Sequence, residues 1–485
     1  MRNLILSFAI LSFLPLTAQA LPIDWNGVFG VDTTLIDNFR RIKETTDRTS
    51  TNTGSQESPL AAGSKENASF QSYIFRLQPT MIINDAASLK GEISTNYGRG
   101  GRLGDDSTRT ATARDASFGS TLYTHNTTNG DTIVINQLYA ELYSDAATWL
   151  IGRQSFNWGL GAVYNDGSDR WDRFATARDG ISGKIKIGNF QLTPYWAKIA
   201  QTNFTRASRI REFGASVLYD NVERDLAFGL LYGKKESNTQ STAISGDTNN
   251  DSTNTSLGET NVKITDLYLS KKFGDLSFAV EVPIMSGDIG NYFENGTVAK
   301  YKAKAILLES AYKISEKWKL QIFAGQVSGQ GAGGTDFEAM YLHPNYQIAN
   351  LMFRYDLRSI SSGAQIYDSY VHNATYAKLG ASYSTGKWDW DAALIWAKAD
   401  QVAETGKVSY NHTTGKTFTA QSTQSDDLGT EIDLGFNYKW NQEVHVGGSA
   451  GYLMTGDYYA YTNDPAQKNN ADNTFVLQLR TSIDF

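Results

Sequence analysis

Residues 428–440 read Leu-Gly-Thr-Glu-Ile-Asp-Leu-Gly-Phe-Asn-Tyr-Lys-Trp. Leu428, Ile432, Leu434, Phe436, Tyr438 and Trp440 share one parity, and Glu431, Asp433, Asn437 and Lys439 share the other. A period of two belongs to a β-strand, whose successive side chains point to opposite faces. One face of such a strand suits lipid and the other water. The end of the chain repeats the pattern, with Phe475, Leu477, Leu479, Ile483 and Phe485 against Gln478, Arg480, Ser482 and Asp484. It recurs upstream, in Tyr73-Phe75-Leu77 against Ser72-Arg76-Gln78 and in Leu89-Ile93-Tyr97 against Lys90-Glu92-Ser94-Asn96. Leu276-Phe278-Val280-Val282 against Ser277-Glu281 is a further case.

Between these segments the connections alternate, short then long. Short turns stand at Asn84-Asp85, Asp145-Ala146, Asn189, Asn221-Val222, Gly274-Asp275, Ser315-Glu316, Gly386-Lys387 and Asn441-Gln442. Most carry Asn, Asp or Gly, which tolerate tight hairpins. Long polar stretches separate them: Asp37–Ala68, Gly98–Asp131, Glu236–Asn261, Gly329–His372 and Asp400–Asp427. Short periplasmic turns with long extracellular loops are the asymmetry of an outer-membrane barrel. The fold expected is therefore all-β: a transmembrane antiparallel β-barrel of about 18 strands, from Ile23–Ile36 to Thr474–Phe485, or 16 if one weak strand is loop. A soluble two-layer sandwich also alternates, but would need more balanced connections.

The N-terminus has the three parts of a secretory leader: Arg2, an apolar stretch from Leu4 to Leu16, and Ala18-Gln19-Ala20 as a cleavage site. Residues 1–20 are read as a cleaved signal peptide and 21–485 as one barrel domain. Beyond residue 20 no run approaches the roughly 18 apolar residues of a membrane helix. With no cysteine, a lipoprotein anchor, disulfides and thiolate metal sites are excluded. Gly 43, Tyr 26, Phe 23 and Trp 10 in a chain of mean hydropathy −0.39 fit aromatic girdles around a wet lumen. A net charge of −7 makes no case for nucleic acid. The cell outer membrane is the expected location, with its lipids as partners.

Phe485, preceded by apolar residues at alternate places, resembles the terminal signal by which bacterial barrels are handed to their assembly machinery. A second resemblance is carried by Leu150-Ile151-Gly152-Arg153-Gln154, then Trp158-Gly159, then Asp169-Arg170-Trp171-Asp172-Arg173-Phe174. This resembles the GRQ…G…W…F pattern of alginate-export-type barrels. Phe337-Glu338-Ala339-Met340-Tyr341 before Pro344 is similar to a loop motif of that group. The resemblance implies about 18 strands and an exporter or uptake channel for uronic-acid polymers or other organic anions. It also implies a strong basic excess in the lumen.

Alternation assigns inward Arg76, Lys90, Arg153, Lys184, Lys186, Lys272, Lys313, Lys319, Lys378, Lys439 and Arg480. It assigns inward Glu92, Glu141, Glu212, Asp266, Glu281, Glu309, Asp389, Asp391, Glu431 and Asp433 as well. Fixed charges in a low-dielectric tube select ions by sign. Two nearly equal sets predict pairing across the wall and weak selectivity, a departure from the alginate-export pattern. Arg153, Gln154, Trp158, Asp169, Arg170, Trp171 and Arg173 form the candidate constriction or ligand loop, since rings stack on sugars and Arg binds carboxylates bidentately. Both this loop and Gly329–His372 are long enough to fold into the lumen and close it. None of the five histidines has a Ser or Asp partner set by spacing, so no catalysis, cofactor or metal is expected. The expectation is a porin-like channel for passive diffusion of small hydrophilic solutes. The alternatives are an exporter or uptake channel for acidic sugars, and a structural or surface-interaction barrel with a plugged lumen.

Overall fold

A computed structural model describes residues 22–43, 53–56, 65–95, 99–103, 133–201, 209–237, 259–293, 297–358, 366–466 and 469–485. The leader read at residues 1–20 lies outside the described residues, as do most of the stretches 98–131 and 236–261. The wall begins with β1 (Ile23–Asp37), β2 (Ala68–Asn84), β3 (Ala87–Thr95), β4 (Ile133–Tyr143), β5 (Ala147–Ser155) and β6 (Ala177–Ile187). It continues with β7 (Phe190–Gln201), β8 (Arg209–Asn221), β9 (Leu226–Ser237), β10 (Thr260–Phe273), β11 (Leu276–Gly290) and β12 (Ala299–Lys313). It ends with β13 (Trp318–Val327), β14 (Ala374–Thr385), β15 (Trp388–Ala399), β16 (Asp427–Lys439), β17 (Val444–Thr455) and β18 (Thr474–Asp484). Gly100–Arg102 pairs with β2 just beyond β3 and occupies the same place in the wall, so the nineteen paired segments make eighteen strands.

Every strand pairs antiparallel with its sequence neighbours, and β1 pairs with β18 from Val28↔Asp484 to Asp37↔Phe475. The sheet therefore closes and has no free edge, which a lipid-exposed wall requires. At the seam Gly27 N–H donates to the Phe485 carbonyl at 2.6 Å, and Phe485 N–H donates back at 3.0 Å. A Cβ on Gly27 would stand 2.5 Å from Phe485 Cζ, so only glycine lets the last ring lie across the first strand.

The outward face is apolar and exposed at mid-height, with Leu230, Leu267, Ile322, Leu379, Leu394, Leu434 and Leu479. Aromatic rings gather near the periplasmic turns, where Trp388 and Trp390 lie 5.4 Å apart and Trp388 and Tyr438 4.6 Å apart. These are the girdle positions of a membrane barrel. One outward assignment changes. Gly429 takes φ +108° and the β15–β16 register slips there, so Leu428 turns inward and is buried, whereas Ile432 and Leu434 face out. A bulge inserts one residue and reverses the parity beyond it.

The lumen carries the core. The described residues of segment 328–373, between β13 and β14, fold inside, and Met340, Leu342, Ile348, Leu351 and Met352 among them are almost wholly buried. They pack on inward Ala303, Ala305 and Leu307 of β12, Val327 of β13, Tyr376 of β14, and Ile395 and Ala397 of β15. The alanines leave room for the segment. At about 2 kcal/mol for each fully buried side chain, the five contribute on the order of 10 kcal/mol toward ordering it.

Candidate functional site

Two segments cross the lumen and meet there. The first, residues 156–176, leaves the top of β5 and returns to β6. Phe156 N–H donates to Thr176 O at 3.0 Å, and Trp158 N–H donates to Tyr164 O at 3.0 Å, so the segment is a folded unit. Trp158 and Tyr164 pack on Leu231 of β9 and Ile264 of β10. The Arg178 guanidinium lies 4.0 Å over the Phe156 ring and 3.9 Å over Tyr195, and bonds Glu212 at 2.9 Å. Glu281 of β11 accepts from Leu160 N–H.

From that wall the segment reaches the strands nine places away round the barrel. Arg76 of β2 donates to the carbonyls of Gly167 and, at 2.8 Å, Asp169. Arg99 donates to Gly167 O at 2.6 Å and pairs with Glu92 of β3 at 2.8 Å, both side chains buried. Gly167 has φ +67°, and a Cβ there would meet Arg99 Nη1 at 2.1 Å. Arg173 pairs with buried Asp32 of β1 at 2.9 Å, donates to Ser72 Oγ at 2.6 Å, and sits 4.0 Å over the Tyr367 ring. Arg170 grips Asp484 of β18 with both arms of its fork. Such bidentate and buried charge-assisted bonds are the strong ones.

The second segment is held by carboxylates of β16. Glu431 accepts from Leu351 N–H at 2.6 Å and Met352 N–H at 2.8 Å, and Asp433 accepts from Asn350 N–H at 3.0 Å. Lys378 of β14 donates to Ile348 O at 2.9 Å. The two segments are joined where His343 N–H donates to Ala162 O at 2.7 Å, and where Asn345 Nδ2 donates to Asn165 Oδ1 at 3.1 Å and Phe174 O at 2.8 Å. Burial and nearby Arg99 push His343 down to about 4, so it is neutral at this junction near pH 7. Burial and neighbouring Asp169 push the Asp172 carboxyl up to about 6.

The assigned lumen residues thus divide by height. Toward the periplasm, Lys184, Lys186, Lys319 and Asp391 face an open vestibule and are exposed. Lys90 pairs there with Glu141 at 2.8 Å and Lys439 with Asp389 at 2.9 Å. Lys272, Lys313 and Lys319 line a cavity of about 500 Å³ with Ser277 and Ser382. Higher up, Arg76, Glu92, Glu212, Asp266, Glu281, Glu431 and Asp433 are buried under the segments. Glu309 is half-buried. Arg480 stands 5.2 Å over the Trp171 ring and donates to Gln478 Oε1. Asp391 and Arg480 are both inward.

Three members of the candidate constriction lie elsewhere. Arg153 is outward, not inward: it shares parity with exposed Trp149 and Ile151, is about half exposed, and pairs with outward Asp179 at 2.6 Å. Gln154 is inward but buried in the wall, where it accepts from Ser182 Oγ. Trp158 is buried against the wall and does not line a passage. Asp169, Arg170, Trp171 and Arg173 do reach the middle of the lumen, as braces and lining. Sequence reading missed Asp32, Arg99, Arg178, Asn345 and Asp484. Arg178 shares parity with Ser182 and Lys184 and was open to discovery on that ground; Arg99 lies on no strand and had no such signal.

A closed 18-stranded antiparallel wall with an apolar girdle outside and charged side chains inside is a transmembrane β-barrel of the outer-membrane kind. No family model matches the chain, and no curated protein matches it. Among solved structures it is similar to OccK1 (OpdK) of Pseudomonas aeruginosa, with 10% identity, a TM-score of 0.48, and coverage of 95% of this chain and 98% of that one. It is also similar to OccAB1 of Acinetobacter baumannii, with 9% identity and a TM-score of 0.48 over 96% of this chain and 97% of that one. OmpT, an outer membrane protein of Vibrio cholerae, shares 12% identity at a TM-score of 0.39 over 96% and 97%.

Proposed function

We propose that this chain is an outer-membrane channel for passive diffusion of small hydrophilic solutes, narrowed at mid-height by its two inward segments and without catalysis. The observation that supports this reading is the periplasmic half of the lumen, where charged inward side chains stay exposed to water up to the junction of the segments. Among the described residues, Lys184, Lys186, Lys272 and Lys319 make no ion pair there, whereas Lys90 and Lys439 do. Fixed positive charge in a low-dielectric tube raises the local concentration of anions. The channel is therefore read as mildly anion-preferring.

An acidic-sugar channel of the alginate-export type has less support. Its motif places Arg153 on the outer face and Gln154 inside the wall, so neither residue stands where it could meet an acidic solute in the lumen. A plugged barrel is favoured by one observation, the hydrogen-bonded junction of the two segments. Planar-bilayer recording of the folded full chain separates these readings. Ohmic steps, with a reversal potential shifted toward chloride in a KCl gradient, are expected. A shift toward potassium refutes the anion reading. Silence of protein shown to be folded refutes the channel and favours the plug.

A further inference from the structure

Residues of the second inward segment help to line a cavity of about 430 Å³. Its other walls come from connections far apart in sequence, all at the strand ends opposite the short turns. Arg40 and Arg41 follow β1, Tyr292 follows β11, and Tyr410 and His412 lie between β15 and β16. Tyr458 and Tyr459 follow β17, and the segment itself contributes Phe353, Tyr355, Tyr370 and His372. The cavity therefore lies at the extracellular end of the barrel. Its lining differs from the packing beside it. Leu351 and Met352 are held among aliphatic side chains, whereas of the cavity's lining only Leu357 and Leu428 are aliphatic. Phe353 holds φ +61° and Arg41 φ +65°, in the left-handed region that bulky side chains rarely adopt. Such torsions persist where the surroundings fix them, and they gather at ligand sites.

The rings are tied to one another. Tyr292 and Tyr410 share a hydroxyl–hydroxyl bond of 2.7 Å, and Tyr341 Oη donates to the His412 carbonyl at 3.0 Å. Tyr341 lies 6.1 Å from Tyr370 and 5.1 Å from His372, and Phe353 lies 5.7 Å from His372. Tyr292, Tyr341, Phe353 and Tyr370 each keep part of their surface exposed. Charge in the lining is opposed: Arg40, Arg41 and Arg358 stand against Asp356 and Asp368. Arg41 is engaged within the protein, donating to Leu351 O at 3.2 Å and lying 4.2 Å over the Tyr459 ring. Burial pushes His372 down to about 4, and burial together with His372 pushes His412 well below the usual imidazole range, so both are neutral near pH 7. Gln56, Ser369 and Thr413 add uncharged polar groups at exposed or partly exposed places. An anionic ligand would meet the two aspartates, and a cation held by rings would meet three arginines. Rings among uncharged and opposed polar groups suit a ligand with apolar faces and hydroxyl edges, which is a sugar.

We propose that this cavity binds a neutral mono- or disaccharide, its apolar face on the rings of Tyr341, Phe353 and Tyr370 and its hydroxyls on Gln56, Ser369 and Thr413. Its volume of about 430 Å³ stands at the small end of small-molecule sites, which run from about 300 to 1,000 Å³, and so excludes a long polymer. Binding needs no open pore; passage of the same sugar inward rests on the channel reading. Silence in a bilayer leaves the binding standing, and absence of binding leaves the channel standing.

The test is saturation-transfer NMR on the folded full chain in lauryldimethylamine oxide micelles, with folding verified by heat-modifiable gel mobility. Aromatic protons of the protein are saturated, and transfer is read to glucose, galactose, maltose, sucrose and lactose, with glucuronate and citrate as acidic probes. Saturable transfer to the C–H protons of a neutral sugar, stronger than to either acid, is expected. Phe353→Gly removes a ring and eases the left-handed torsion, so the backbone is not strained by the change. It should weaken the fitted affinity about twofold to tenfold, the worth of one ring contact, and Tyr341→Leu/Phe353→Gly should weaken it by roughly tenfold or more. Lys271→Gln, on the outer face near the periplasmic turns, should leave it unchanged. Absence of saturable transfer to every neutral sugar of the panel, transfer to glucuronate or citrate as strong as to the best neutral sugar, or unchanged affinity in the double variant overturns the proposal. If the double variant does not fold, Phe353→Gly alone decides in the same measurement, and unchanged affinity overturns it.

Discussion

Arg173→Ala should loosen the first inward segment and be visible one channel at a time. Arg173 and Asp32 are 8% and 2% exposed and lie 2.9 Å apart. Truncation also removes the bonds to Ser72 Oγ at 2.6 Å and Tyr73 O at 3.1 Å, and the stacking on Tyr367. Removing one partner of a buried pair costs about 3–5 kcal/mol, because the other charge is left behind. That is roughly a hundredfold to a few thousandfold in the local closed-to-open ratio. Release is not complete, since Arg76, Arg99 and Arg170 still hold the segment to the wall. The ladder of β1 is untouched, so barrel melting should barely move. Single-channel records should show higher mean conductance with added flicker. Arg173→Ala/Asp32→Asn, which removes the stranded charge, should recover part of the quiet state. Records of Arg173→Ala identical to wild type would refute the claim that this pair positions the segment.

Glu431→Gln keeps one accepting oxygen and gives up the other, so it should weaken the hold on the second segment by about 0.5–1.5 kcal/mol, the worth of one hydrogen bond, and hydrogen exchange at Leu351 and Met352 reads it directly. Asp172, raised to about 6, favours its protonated form when the first segment is folded in, so its contribution is present below about 4 and lost as pH rises through about 6. Channel noise should therefore grow between pH 5 and 7, and Asp172→Asn should remove that dependence; an unchanged profile in the variant counts against it. Gly27→Ala should impair closure of β1 on β18, lowering the yield of heat-resistant barrel on refolding, because its Cβ would collide with the Phe485 ring.

The wall was legible because its signal is local. Parity along one strand records which side meets lipid, and it recurs in every strand without reference to distant residues. Turn residues recorded where the chain reverses, so all eight short connections fall between adjacent strands. Parity fails where an extra residue enters, and Leu428 is the instance: Gly429 at φ +108° shifts the register and turns its neighbour inward. Arg153 was misassigned for another reason. A charge on the outer face is foreign to a lipid-facing strand, but Asp179 stands directly opposite on β6 and pairs with Arg153 there, and a cross-strand partner is not written in parity.

The lumen was harder to read because its partners are distant and often backbone. Glu431 looked like half of a balanced set of wall charges, yet it bonds the amides of Leu351 and Met352, 80 and 79 residues earlier. Glu281 bonds the amide of Leu160, 121 residues away. Every residue carries an amide, so such bonds leave no mark on composition or spacing. The consequence reaches function. Acidic side chains engaged with the inward segments no longer offset the lysines, and Glu92, Glu212, Glu281, Glu431, Asp433 and Asp32 are all so engaged, directly or through Arg99, Arg178 and Arg173. Equal counts of opposite charge therefore do not make a neutral passage. Most of the acids are spent at the constriction, and Lys184, Lys186, Lys272 and Lys319 are left facing the water with Asp391 as the exposed acid among them.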